Sequence, residues 1–381
     1  MSTASGGYRA QNMEPKLNVA LCIRSNWREQ PGGDVVQLMK TKEALEEGFP
    51  VEVSVVDSVE SAELKSADVV HVFNVQQPEI GLPFLRAAKA AGKATALSTI
   101  FWDLSHAHFA MVLNRLGRDA VDSSRGTKRT AESVFRMLGR PSYFSAASRQ
   151  QVAEMVGLAD ILLPNSSEEA GMLEAYVGQT GLRFEVVVNA VDGTIFSREE
   201  PQERAGVVQA GNFEAVKNHM GVLRALETRP EIPITFVGSP TNPAYVERLR
   251  ARAGKNVTMI DRSLPPAELA ELYRRHRVHV NPSFRESPGL ATMEALACGC
   301  RAVVASEEFC PVATYFGELV GRAVFVCDPY DRRSILGAIE QALNAREEAD
   351  LSGWLAKFTW AEAARQTVEA YRLVAGLRGE G

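Results

Sequence analysis

The chain has 381 residues and a formal net charge of −5, a length that fits two domains. Apolar residues make up 45 % and charged residues 23 %, which excludes wholesale disorder, collagen-like repeats and a disulfide-scaffold class. The acidic balance disfavours a nucleic-acid partner, and the longest uncharged stretch, Ile232–Val246, is 15 residues long with three prolines, too short and broken to span a bilayer.

Residues 1–15 read as a flexible lead without a secretory signal pattern. Short apolar runs then alternate with helical patterns. Strands are predicted at Asn18–Ile23, Val51–Val56, Asp68–Phe73 and Ala94–Ser98, with helices at Asp34–Glu46 and Leu82–Ala91. Residues 104–156 read as consecutive helices without strands. A strand at Asp160–Leu163, a helix near Glu168–Tyr176 and a strand at Phe184–Val188 follow. The polar run Ser197–Ala205 reads as a linker. Beyond it, strands are predicted at Val207–Ala210, Ile234–Val237, Val257–Ile260, Val278–Asn281, Arg301–Ala305 and Ala323–Val326. Helices lie between them at Lys217–Glu227, Pro243–Ala253, Pro266–Arg274, Gly289–Ala297 and Asp331–Asn344, and one amphipathic helix at Trp360–Leu377 ends the series. Continuous apolar strands separated by helices mark parallel sheets covered on both faces. The expected architecture is α/β: a Rossmann-like domain over 16–196, a linker over 197–205, a second Rossmann-like domain over 206–359, and a helix over 360–381 that returns to the first. Ligands bind outside the carboxyl ends of such strands.

The five cysteines include no CxxC pair, and the six histidines show no HxxxH or HExxH spacing. Reduced, buried thiols and no dedicated metal site are expected. Absence of Gly-x-Gly-x-x-Gly disfavours a nicotinamide dinucleotide. Gly32 and Gly33, after the first strand, fit an ordinary turn or a backbone approach to a phosphate or acceptor. The basic cluster Arg274–Arg277 reads as a complement to a helix macrodipole.

The stretch Asn281–Ser306 carries the chemistry. A strand ends at Pro282, a loop holds Glu286, and Ser287, Pro288 and Gly289 open a helix bearing Glu294. Proline suits a first helical turn, and a bare backbone at a helix N-terminus favours an anion. A carboxylate beside such a site suits sugar or ribose hydroxyls. The same residues also fit a capped helix with two solvated glutamates.

This string resembles the Glu-x7-Glu signature of retaining GT-B glycosyltransferases, specifically glycosyltransferase family 4. Gly211-Asn212-Phe213 with Lys217-Asn218, Val188-Asn189-Ala190-Val191-Asp192 with Phe196, Pro164-Asn165-Ser166, Gly32-Gly33 and Trp360 resemble further family segments in the same order. The resemblance implies two Rossmann-like domains facing across a cleft. It also implies transfer of a sugar, with retention, from a nucleoside-diphosphate sugar, UDP- or GDP-linked, to a glycan or lipid-linked acceptor. The setting it suggests is cell-surface polysaccharide or lipopolysaccharide assembly. Glu294 would hold ribose hydroxyls and Glu286 a hydroxyl of the donor sugar. The N–H groups at Gly289 and Leu290 would hold phosphate oxygens, and Lys217 would neutralise the leaving diphosphate. Gly33, Asn212, Ser287 and Pro288 complete the expected donor surface, with base contacts around Arg262–Leu264. No Asp-x-Asp occurs, consistent with metal-independent handling of the diphosphate and no resident cofactor.

Three positions depart from the family pattern: Asn212 replaces its arginine, Ala190 its glycine and Arg301 its proline. The first removes one diphosphate cation, which another arginine in space could replace. The family's first-domain histidine has no clear counterpart; Asp103 and His106, with Gly32, are the acceptor-side candidates, although His106 and His108 also fit a solvated helix. Residues 115–149 hold eight basic and three acidic residues, either a solvated helical face or a surface for an anionic membrane. The expected location is cytoplasmic, peripheral at the inner membrane face. The rival readings are a non-catalytic nucleotide-sugar or partner-binding module and a nucleotide-sugar epimerase or hydrolase.

Overall fold

A computed structural model describes residues 16–29, 33–121, 146–199, 203–345 and 349–376. The lead 1–15, Gly32, linker residues 200–202 and residues 122–145 of the basic stretch lie outside the described residues.

The first domain runs β1 (Leu17–Cys22), α1 (Gly33–Gly48), β2 (Val51–Val56), α2 (Ala62–Ser66), β3 (Val69–Phe73), α3 (Pro78–Ala90), β4 (Ala94–Ser98), α4 (Ser105–Arg115), α5 (Ala146–Leu158), β5 (Ile161–Leu163) and α6 (Ser167–Val177). Its sheet has the order β2-β1-β3-β4-β5, all parallel. Leu17, Val19 and Leu21 pack on one face, Ala20 and Cys22 on the other. Side chains alternate along a strand, so a strand covered on both faces must be apolar throughout.

The second domain runs β6 (Val207–Ala210), a 3₁₀ turn (Ala215–Lys217), α7 (His219–Leu226), β7 (Ile234–Val237), α8 (Pro243–Arg252), β8 (Val257–Ile260), α9 (Pro266–Arg275), β9 (Val278–Asn281), α10 (Leu290–Ala297), β10 (Arg301–Ala305), α11 (Val312–Phe316), β11 (Val324–Cys327), α12 (Arg332–Asn344) and α13 (Ser352–Lys357). Its parallel sheet has the order β11-β10-β9-β6-β7-β8. Then α14 (Trp360–Val374) crosses back, and Ala363, Ala364, Val368 and Tyr371 enter the core of the first domain. The Tyr371 hydroxyl meets His71 Nδ1 at 2.7 Å, and His71 Nε2 meets Ser98 Oγ at 2.9 Å. Among the described residues no helix is long and apolar enough to cross a membrane.

Several local expectations are corrected. Phe184–Val188 is not a full strand: it follows β5 through three backbone hydrogen bonds, yet only Leu162 and Phe184 form a bridge. The helix expected at Lys217–Glu227 is split at Asn218, which takes φ +57° and donates from Nδ2 to Pro282 O at 3.1 Å and Pro329 O at 2.9 Å. That anchor stops the 3₁₀ turn and leaves Lys217 at its end. Helix α10 starts at Leu290, so Pro288 precedes it; Gly289 is the cap, with φ +93°, and the Ser287–Pro288 peptide is cis. Arg274 donates to Ser197 O and Ile195 O at 2.9 and 3.0 Å. It therefore fastens the domain connection rather than serving its own helix end. Finally, α4 packs on the second domain, where Phe109 and Ala110 join Phe284, Phe309 and Tyr330.

Candidate active site

The two sheets meet at a cleft of about 860 Å³ outside the carboxyl ends of β6 and β9. Lys217 and Glu286 meet in its lining. Lys217 Nζ donates to Glu286 Oε1 at 2.5 Å, from a partly exposed side chain to one that is 8 % exposed. Burial pushes the Glu286 carboxyl up, but the Lys217 charge and its hydrogen bond outweigh that and hold it below the usual range. Gly289 permits this crowding: a Cβ there would lie 3.2 Å from Glu286 Oε2 and 3.1 Å from Asn281 Nδ2, at a φ side chains avoid. The buried oxygens Asn189 Oδ1 and Asn281 Oδ1 have no hydrogen-bond partner among the described residues. Both residues line the cleft, and a ligand's hydroxyl or amide hydrogen would satisfy them.

Of the expected residues, Gly33, Asn212, Lys217, Glu286, Ser287, Gly289 and Leu290 line the cleft. Pro288 is buried behind it. Arg262 is exposed and pairs with Glu268 at 3.1 Å, outside the lining. Glu294, on the second turn of α10, is half-buried and also outside the lining. Burial raises its carboxyl from 4.5 to about 7, and no hydrogen bond reaches it among the described residues. The acceptor-side candidates are placed elsewhere: Asp103 accepts from Ser105 N and from the Ser105 hydroxyl, both at 2.8 Å, and His106 is buried against Tyr330 Oη at 2.9 Å and Glu308 at 2.8 Å. Neither lines the cleft.

Sequence reasoning missed Arg24, Gln37, Glu214 and Arg285 in the lining. Burial raises the Glu214 carboxyl, opposed chiefly by Lys217. Arg285 was legible: it precedes Glu286, and the chain lacks the arginine expected at 212. It brings a second cation to the wall that holds Lys217.

The floor of the cleft joins the domains. Ser287 Oγ donates to Glu169 Oε2 at 2.9 Å. Glu169 is fully buried and also accepts from Phe101 N at 2.9 Å, Asn165 N at 3.2 Å and the Thr99 hydroxyl. Desolvation nevertheless raises its carboxyl. Ser166 caps the same helix, accepting from Glu169 N at 3.1 Å. The Tyr315 hydroxyl accepts from Asn189 N at 2.8 Å and donates to Asn165 O at 2.7 Å. The Pro164-Asn165-Ser166 and Asn189 segments thus support the loop of Glu286 and Ser287 from the opposite domain.

Residues 191–352 match a family model described as Glycosyl transferases group 1. A D-inositol 3-phosphate glycosyltransferase of Streptomyces scabiei is 31 % identical over 247 residues, 57 % of this chain and 55 % of that protein. The chain thus spans about half the length of such curated relatives. Among solved structures, sucrose-phosphate synthase from Thermosynechococcus elongatus superposes with a TM-score of 0.68 at 15 % identity, over 94 % of this chain and 99 % of that one. An Anabaena protein in complex with UDP-glucose gives 0.64 at 14 % identity, over 93 % and 99 %. Residues 191–352 are thus similar to a glycosyl transferases group 1 domain, and the chain shares the two-domain fold of these solved structures.

Proposed function

We propose that this protein is a retaining, metal-independent glycosyltransferase of family 4 that takes a UDP- or GDP-linked sugar and transfers the sugar to a glycan or lipid-linked acceptor. Its place would be the assembly of a cell-surface polysaccharide or lipopolysaccharide, with the enzyme cytoplasmic at the inner membrane face. The observation that carries this reading is the Lys217–Glu286 pair beside Gly289, at the carboxyl ends of two facing sheets. A fixed cation there stabilises charge that develops on a departing diphosphate, and Arg285 on the same wall adds to it. Glu286, ionised and buried, accepts a hydrogen bond from a donor-sugar hydroxyl. The N–H groups at Gly289 and Leu290 receive phosphate oxygens. Glu294 accepts from the ribose hydroxyls, and backbone near Arg262 contacts the base.

In the proposed reaction the acceptor oxygen bonds to the anomeric carbon on the face the diphosphate leaves. The carbon–oxygen bond to the diphosphate breaks with its electron pair, and the leaving phosphate oxygen takes the acceptor proton. No side-chain nucleophile is needed. The named relative, a glycosyltransferase, and the neighbour solved with UDP-glucose support the donor class.

The test is a metal-free calorimetric screen against UDP, GDP, ADP and dTDP and their sugars, followed by NMR of the product anomer. One nucleotide binding, with binding lost in Glu294→Ala and a product that keeps the donor's configuration, is the expected result. An inverted product would sink the retaining assignment. Donor turnover without acceptor would favour a hydrolase or epimerase, and donor binding by wild type and Glu286→Ala alike, with no transfer by the wild type, would favour a non-catalytic module.

A further inference from the structure

The opposite, amino-terminal end of the second sheet holds a separate cavity of about 450 Å³. Three arginines reach it from the amino-terminal ends of strands: Arg277 before β9, Arg301 opening β10 and Arg322 before β11. Arg198 and Arg204 reach it from the connection between the domains, and Asp350 is the one carboxylate in its described lining. Five guanidinium groups around one small space is an unusual gathering in a chain of net charge −5.

Two details set it apart from a row of solvated arginines. First, among the described residues no carboxylate lies within ion-pair distance of Arg204, Arg277 or Arg322, and the Arg277 Nε hydrogen is buried without a hydrogen-bond partner, while its Nη2 donates to Ala345 O at 3.2 Å. Second, the Arg204 guanidinium lies against the bare backbone of Gly299, which ends α10 at φ +88°. Like charges so placed repel one another, and an anion with several oxygens relieves that repulsion through forked, charge-assisted hydrogen bonds.

We propose that this cavity is a second anion site, distinct from the cleft, that takes a small ligand bearing clustered phosphate oxygens. Its volume falls at the small end of ligand pockets, which fits a diphosphate-sized group better than a whole nucleotide sugar. The ligand would bridge Arg198 and Arg204, on the domain connection, to Arg277, Arg301 and Arg322 on the domain body.

The test is isothermal titration of the full chain with inorganic pyrophosphate, in wild type, Lys217→Gln and Arg204→Gln/Arg322→Gln. The proposal expects a pyrophosphate site that survives Lys217→Gln and weakens at least tenfold in the double arginine variant, with melting in the absence of ligand unchanged. Arg322→Glu alone, at an exposed position, carries the same expectation without touching buried packing. Loss of all pyrophosphate binding in Lys217→Gln, or unaltered binding in both arginine variants, overturns it. Flotation with phosphatidylcholine vesicles, with and without phosphatidylglycerol, separates the two sources of such a phosphate. Flotation that needs phosphatidylglycerol and is lost in the double variant supports a lipid headgroup, whereas no flotation beside intact pyrophosphate binding supports a free anion.

Discussion

Lys217 keeps the Glu286 carboxyl ionised in a place where burial alone would push it up. Lys217→Ala removes the proposed leaving-group cation, and turnover should fall by about 10² or more in steady-state assays; unchanged turnover would end that assignment. The same change strips Glu286 of its partner, so its carboxyl should rise. The sign on stability follows from its lowered value in the fold. The pair's contribution is present above the unfolded carboxylate range and is lost as pH falls through the folded value; Lys217→Ala should therefore show a weaker loss on the acid side. Glu294 behaves in the opposite way. Its carboxyl rises from 4.5 to about 7, so the fold prefers it neutral, and stability declines as pH rises from 4.5 to 7. Ribose hydroxyls, however, donate best to the ionised form. Nucleotide binding should be about tenfold weaker at pH 6 than at pH 8, with proton release on binding at the lower pH, and Glu294→Gln should flatten that dependence in calorimetry.

The elements differ in how far the sequence discloses them. β2, β4, β6, β7, β8, β9 and β10 are found at the bounds read from their apolar runs, because inner strands of a parallel sheet are mostly apolar and end where turn residues begin. The helices α2, α11 and α13 were not anticipated; with five or six residues each, they are too short to display a period of 3.6. The split at Asn218 was equally hidden, since its cause is two carbonyl oxygens far along the chain. In the cleft, the Glu286 loop and Lys217 could be read from a local string. Glu169 could not: Ser166-Ser167-Glu168-Glu169 has the look of an ordinary capped, solvated first turn, and only tertiary packing brings Ser287 onto it. Tyr315 is similar, a buried aromatic whose hydroxyl joins two loops of the other domain. Tyr315→Phe leaves a buried N–H and a buried C=O without that partner and should destabilise the protein by about 2 kcal/mol, measured by denaturant titration. A melting profile equal to wild type would show that the hydroxyl bears no strain.

At the scale of the molecule, the first domain is not continuous in sequence. Its core is completed by α14, whose Val368 and Tyr371 are buried against β-sheet residues encoded some three hundred positions earlier. Val368→Asp places an unpaired charge there and should cost about 4 kcal/mol or more, seen as loss of the cooperative melting of the first domain while the second still melts. The two crossings between domains also meet, since Val191 N donates to Phe358 O at 3.1 Å. The return of α14 has a consequence for biosynthesis. The second domain's sheet and its covering helices, from Val207 to Asn344, form one uninterrupted stretch, and that stretch leaves the ribosome before α14 does. Domains generally fold as units during synthesis, the N-terminal one first. Here that order is reversed: the part made first must wait, with an apolar face uncovered, for the part made last.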